Sequence, residues 1–417
     1  MEQVLRDTLR DMHEKEAAPA PPDLAERVLR TRRRRRVQGV GAVALALAGV
    51  LAAAFAVPAL DLGGTRGEVA DHADRVATRE VLAHPHQSPP RELIAAGDTA
   101  MSAYSLRENR EQPDGDVIHT RVWHLYNPAT GRYEETDWAW ADVAPGLDVA
   151  AVLERQLPAE RIGILDLATG EVKRWIPLEH GAGSVYWSPN GDRLLATTYS
   201  KNPDRYHKEH PRNVNGKEEP GPLPSRTGFA VVDAETGAAD WTDFPWTPED
   251  SPFGVENDIA PEDMPYFGNG RDDLKWNWDG TLVRAHNSTT PPKKFYTVDG
   301  EPAKSPTENY AYSHAGKSPD GRYAAGDFAG EGDNIATVVY DARNGKPVAK
   351  QPVQELLAWA DEDSLIAWGC EPDRCGGTGE FRQQLLLVDV KGGNVRELSD
   401  FRDSQSKSGW TPYFSRR

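Results

Sequence analysis

Five stretches of the chain share one pattern of apolar and polar positions: "VWHLYNPATGRYEET", "IGILDLATGEVKRW", "GFAVVDAETGAADW", "ATVVYDARNGKPVAK" and "LLLVDVKGGNVREL". Each is an apolar, β-branched run, then Asp or Asn, then Gly four residues later, then a second alternating run, and "FYTVDGEPA" is a shortened version. Alternation at period two predicts strands, and the Asp/Asn-to-Gly spacing predicts a tight hairpin. The acidic or amide side chain starts a type I turn, and the glycine takes the positive φ that closes it. Gly131, Gly170, Gly237, Gly300, Gly345 and Gly393 thus mark six units.

A second element precedes several of these hairpins. "WSPNGDRLLA", "WNWDGTLVRA", "KSPDGRYAAG" and the looser "WADEDSLIAW" place an Asn/Asp-Gly turn, or its degenerate form, between a short strand and a longer apolar one. Trp187, Trp276 and Trp359 fall at one register before that turn. Each unit therefore holds four strands, A to D, at a period near 40 residues, which is the signature of a β-propeller whose blades bury their faces against their neighbours.

The "SPDG" and "D-x-x-T-G" pairing, carried by Ser188, Pro189, Asn190 and Gly191 and by Ser318, Pro319, Asp320 and Gly321, resembles the repeat of TolB-type, WD-like periplasmic β-propellers. With the N-terminal segments described next, the whole looks like membrane-anchored envelope proteins of actinobacteria. The resemblance covers residues 92 to 400 and implies an all-β, six- or seven-bladed β-propeller; it speaks to architecture more than to activity.

Arg30–Arg36, "RTRRRRR", runs straight into 24 residues, "VQGVGAVALALAGVLAAAFAVPAL", in which Gln38 is the one strongly polar side chain. As a helix that segment reaches about 36 Å, enough for a hydrocarbon core of about 30 Å. The positive flank predicts residues 1–36 as a short cytoplasmic helical leader, 37–60 as a transmembrane helix, 61–91 as an extracellular linker and 92–417 as the propeller, a single-pass type II arrangement. Cleavage at "AFAVPA" is the competing reading, and it leaves a secreted body.

The 417-residue chain has a formal charge of -17, although residues 1–36 hold ten Lys/Arg against seven Asp/Glu. An acidic body excludes nucleic-acid binding through phosphate neutralisation. The only cysteines, Cys370 and Cys375 in "CEPDRC", are expected to pair as a disulfide in an oxidising compartment. No further Cys or His stands near them to make a zinc site, and neither a metal nor a cofactor is expected.

Strand direction alternates within a blade, so the short A-to-B and C-to-D turns fall on one face. The long stretches 107–116, 201–226, 245–273 and the cysteine loop fall on the other as B-to-C or inter-blade loops. Binding is expected there, on loops carried by a rigid scaffold. Trp246, Phe253, Tyr266 and Phe267 supply apolar anchors among carboxylates, suited to a protein, peptide or carbohydrate ligand. His207 and His210 of "HKEH" complete the candidate ligand-binding set. No G-x-S-x-G, H-E-x-x-H, phosphate loop or C-x-x-C occurs, so no catalytic residue is assigned. The reading is a non-enzymatic binding or scaffold module at the cell envelope. The alternative is an extracellular hydrolase or lyase with its site in the central channel, and a weaker third reading has the leader gripping a cytosolic signalling partner.

Overall fold

The computed structural model describes residues 79–214, 216–247, 271–285, 294–305, 308, 314–330, 336–369, 382–403 and 409–417. The chain divides into two units, Met1–Asp61 and Leu62–Arg417, and every described residue belongs to the second. The leader, the 37–60 span, both cysteines, Phe253, Tyr266 and Phe267 lie outside the described residues. Among the described residues no helix is long and apolar enough to cross a membrane.

What is described is all β, and every strand pair is antiparallel. β1 (Ala95–Ala96) turns at Gly97 into β2 (Thr99–Glu111), which pairs β3 (Val117–Asn127), which pairs β4 (Arg132–Thr136). β5 (Trp140–Val143), β6 (Val149–Leu153), β7 (Ala159–Asp166) and the first part of β8 (Val172–Trp187) follow in ladder order. β8 is shared: residues up to Pro177 pair β7, residues from Ser184 onward pair β9 (Arg193–Tyr199), and Ala182 pairs both. A hairpin of β10 (Arg205–Val214) and β11 (Lys217–Pro222) interrupts that module before β12 (Arg226–Asp233) and β13 (Ala239–Asp243) complete it. β14 (Leu274–Trp276), β15 (Val283–Ala285), β16 (Phe295–Tyr296) and β17 (Pro302–Ala303) make another. β18 (Tyr323–Phe328), β19 (Thr337–Asp341) and β20 (Pro347–Gln351) are preceded by Lys317, which bridges to Ala324 as a minimal first strand. β21 (Glu355–Trp359), β22 (Ser364–Gly369), β23 (Arg382–Asp389) and β24 (Val395–Glu397) form the last ladder, with β25 (Arg402–Asp403) also on β23. Finally β26 (Trp410–Arg416) crosses back to pair β2, so the C-terminus supplies the missing strand of the first module.

Burial falls from the second strand of a module to its fourth. β9 is buried from Leu194 to Tyr199 and β22 from Leu365 to Gly369, whereas β13 has no buried residue. A second strand is covered on both faces by adjacent modules, which is why "RLLATTY" lacks the alternation of a half-solvated strand. Neighbouring modules are stitched by polar contacts as well. The Ser415 hydroxyl donates to the Val143 carbonyl (2.7 Å), and Arg193 Nη2 donates to the Gly280 carbonyl (2.8 Å). The Trp278 amide donates to Glu308 (3.0 Å), and Trp359 Nε1 donates to the Gly316 carbonyl (3.3 Å). At the seam between the last module and the first, the Thr99 hydroxyl donates to the Trp359 carbonyl and the Asp98 amide to the Ala360 carbonyl, both at 2.7 Å.

The turn chemistry matches the sequence pattern with one shift. Asp166 Oδ1 accepts the amides of Ala168 and Thr169 (2.9 Å each), and the Gly170 amide donates to the Asp166 carbonyl (2.9 Å). The same arrangement recurs at Asn127 and Asp233. In the last module Gly392, not Gly393, takes the positive φ (77°). Its amide closes on the Asp389 carbonyl three residues back, leaving Gly393 to donate to the Asp389 side chain. Residues 107–116 and 201–226 also differ from the expected irregular loops. β2 runs on through Glu111, and β10 joins the end of β3 through Arg205↔Ile118 and Tyr206↔Val117. A hairpin from one module thereby extends the sheet of another.

Candidate functional site

The first strand of each ladder faces inward, and together these strands wall a cavity of about 960 Å³. Its lining draws on Trp140 from β5, Tyr186 from β8, Asp273 and Lys275 beside and within β14, Ala315 and Lys317, Leu357 to Trp359 from β21, and Thr411 to Arg416 from β26. The β2–β3 extension and the β10–β11 hairpin add Arg107, His119, Arg121, Tyr206 and Arg212. Small-molecule sites commonly fall at this size and are few per protein.

Its charge is opposite to that of the chain as a whole. Among the described residues nine Lys/Arg side chains line it against three Asp, in a protein of net charge -17. Each of the three carboxylates is already engaged. Asp98 pairs with Arg79 (2.7 Å). Asp204 takes Arg271 Nη2 (2.6 Å) and Arg121 Nη1 (3.1 Å). Asp273 takes Arg271 Nη1 (3.3 Å) and the Tyr199 hydroxyl (2.8 Å). Burial alone pulls the Arg271 guanidinium down, but the Asp204 and Asp273 carboxylates outweigh it and hold its pKa above the ordinary value. For Asp204 burial pushes upward, and Arg271 with Arg121 reverses this to a net lowering. Arg271 and Arg121 also lie 4.6 and 5.1 Å from the centroid of the Trp140 ring.

Lys275 is different. It follows the alternation of "LKW": Leu274 and Trp276 turn into the module's own core while Lys275 turns toward the cavity. Among the described residues no hydrogen bond or ion pair holds its ammonium, which stands 5.2 Å from the Tyr186 ring centroid. Burial, then the Arg284 charge, lowers its pKa to about 8. Nearby Asp142 is pushed up to about 7 by burial, opposed by the Trp187 amide that donates to it (2.7 Å) and by Lys275. At the mouth, His119 is pushed down by burial and then by Arg212; its Nδ1 lies 2.7 Å from Asn109 Oδ1.

Of the binding residues expected from sequence, the described ones, Trp246, His207 and His210, are not among the cavity's lining. His207 lies in β10 with Nδ1 3.1 Å from Asp116, and His210 is exposed on the same strand, the two rings 6.4 Å apart. Trp246 is half-buried beyond β13, its amide donating to the Arg226 carbonyl (3.3 Å). Phe253, Tyr266 and Phe267 are outside the described residues. Among the lining residues Lys275 carries a signal in the sequence: it alternates with the buried Leu274 and Trp276 just ahead of the first turn of its module.

No family model matches the chain, and no curated protein does. Solved structures with some likeness include TolB from Acinetobacter baumannii, at 13% identity and TM-score 0.33 over 72% of this chain and 67% of that one. An oligogalacturonate lyase in complex with manganese matches at 11% identity and TM-score 0.38 over 77% and 86%. The Myceliophteria thermophila Cps50 (Swd1) β-propeller domain matches at 10% identity and TM-score 0.36 over 80% and 100%. The neighbours thus include TolB, a lyase and a WD-type propeller, and likenesses this distant do not extend to activity.

Proposed function

We propose that the chain is a membrane-anchored envelope protein whose body is a closed six-bladed β-propeller, and that it binds a small ligand in its central cavity without transforming it. The observation that carries this reading is the lining itself: the innermost strand of every four-strand module contributes to one cavity, and β26 on β2 joins the last module to the first. The 37–60 apolar segment behind the arginine run is the anchor, with the body outside the cell; protease added to intact cells is expected to remove the body and spare the leader. Partners remain those of a binding module, with the ligand entering at the mouth framed by β2–β3 and β10–β11.

A binder is favoured over a hydrolase by the state of the carboxylates. Hydrolysis through paired carboxylates needs one held protonated and one free to attack or activate water. Here the three lining carboxylates among the described residues are fixed in ion pairs with arginine.

The test is a small-molecule screen on the full-length protein in neutral detergent, read by thermal shift and by the fluorescence of Trp140, Trp278 and Trp359. Ligands are expected whose effect disappears in Ala358→Trp, which fills the cavity wall. Ligands recovered unchanged by mass spectrometry support a binder; ligands that bind equally well to Ala358→Trp contradict the cavity as the site.

A further inference from the structure

Five of the cavity's cations, Arg107, Arg212, Lys275, Lys317 and Arg416, have no acidic partner among the described residues. Three of them are supported by aromatic rings instead: Lys275 at 5.2 Å from Tyr186, Lys317 at 5.2 Å from Trp278 and Arg212 at 4.9 Å from Tyr206. A ring face holds a cation in place but accepts none of its hydrogen bonds in full, so the N–H donors stay available. Arg212 Nε shows this directly, being buried with no hydrogen-bond partner among the described residues. A buried donor left unsatisfied costs about 1–3 kcal/mol, which a ligand acceptor would recover. Like charges are also forced together at the mouth: Arg107 and Arg121 are direct cross-strand partners on one face of the β2–β3 ribbon. Such pairing is unfavourable unless an anion offsets it.

We propose that the central cavity takes a small organic polyanion, with anionic groups met by Arg212 and Arg107 at the mouth and by Lys275 on the inner wall. This rests on the cavity being the ligand site. The chemistry required is two or more carboxylate or phosphoryl groups on one small molecule. The ring-supported cations make preformed charge-assisted donors for either kind of group. Because the protein as a whole is acidic, long-range attraction does not drive this binding, and it is expected to survive at an ionic strength of about 0.15 M.

The test is titration calorimetry on the full-length protein in neutral detergent, with tripolyphosphate, citrate and the neutral trisaccharide maltotriose as probes. At least one polyanion is expected to bind and maltotriose not to; whichever polyanion is preferred identifies phosphoryl or carboxylate chemistry. Lys275→Met and Arg212→Met are each expected to weaken that binding by about tenfold or more, the scale of one lost charged contact. Circular dichroism checks that both variants stay folded. The proposal is overturned if maltotriose or a neutral molecule from the screen occupies the cavity while neither polyanion does. It is equally overturned if polyanion binding is unchanged in Lys275→Met, Arg212→Met and Ala358→Trp. If ligands of every charge ignore Ala358→Trp, the cavity itself is wrong as the site, which is a separate failure.

Discussion

Lys275 and Asp142 put opposite signs on the pH dependence of stability. A lysine whose folded pKa is lowered binds its proton less well than the unfolded chain does. The penalty is full below its folded value of about 8 and fades as pH rises to the unfolded value. Lys275→Met is therefore expected to raise stability by about 1–3 kcal/mol at pH 7, with the gain shrinking toward zero above about pH 10, in urea melts followed by circular dichroism. Asp142 has its folded pKa raised to about 7. The folded state holds that proton while the unfolded chain has lost it, so stability falls as pH rises between the two values, and the full cost stands above about 7. Asp142→Asn keeps an acceptor for the Trp187 amide and is expected to stabilise at pH 8 but not near pH 4. A cost carried by an unpartnered lysine in a cavity is what a ligand site imposes on its own fold.

At the scale of elements, turns were the most legible part of the sequence because Asp, Asn and Gly act locally there. Gly131, Gly170, Gly237, Gly300 and Gly345 all take positive φ. The miss is in "DVKGGN", where two adjacent glycines satisfy the same spacing rule and only the hydrogen-bond closure to Asp389 selects Gly392. Gly392→Ala is accordingly expected to cost about 1–2 kcal/mol, the price of a side chain in the left-handed region, and Gly393→Ala clearly less. Thermal melts of the two variants side by side check this.

The β10–β11 hairpin was not legible, since "KNPDRYHKEHPRNVNGKEEPGPLPSR" is polar, proline-rich and without alternation. What orders it is nonlocal: Arg205 pairs with Asp116 (2.6 Å) and Asp114, and the Lys208 amide donates to Asp116 (2.9 Å). The Lys208 amide, then the Arg205 guanidinium, hold the Asp116 carboxyl below its usual range, against an upward push from burial. Arg205→Met is expected to speed proteolytic cutting within residues 205–222 while leaving the global melting temperature nearly unchanged. A large loss of global stability would mean that the hairpin belongs to the core.

For the whole molecule, the repeat and its strand count could be read from the sequence, and the cavity could not. Four-strand periodicity is a local rule repeated, whereas the cavity's charge arises only when Lys275, Arg212 and Arg107, far apart in sequence, line one cavity. The loop aromatics and the His207/His210 pair are clusters along the chain, which a sequence displays, whereas the described cavity lining is drawn from separate modules. The inner strands are the better place to look, at the positions that alternate with Val185, Leu274 and Trp276. The body also begins earlier than the expected linker boundary: Leu82 bridges Ala95 and the His84 amide donates to the Leu398 carbonyl (2.8 Å).

The proposed ring closes through β26, which completes the first module. Ser105 and Thr411 are direct cross-strand partners, 306 positions apart in the chain. Antiparallel partners lie about 4.5–5.5 Å apart at Cα, within reach of a disulfide. The measurement is thiol quantification and thermal melting of Ser105→Cys/Thr411→Cys in a background where Cys370 and Cys375 are Ser. A closed ring predicts near-complete cross-linking under mild oxidation and a higher melting temperature than the reduced form; two thiols that stay free in the folded protein would contradict it.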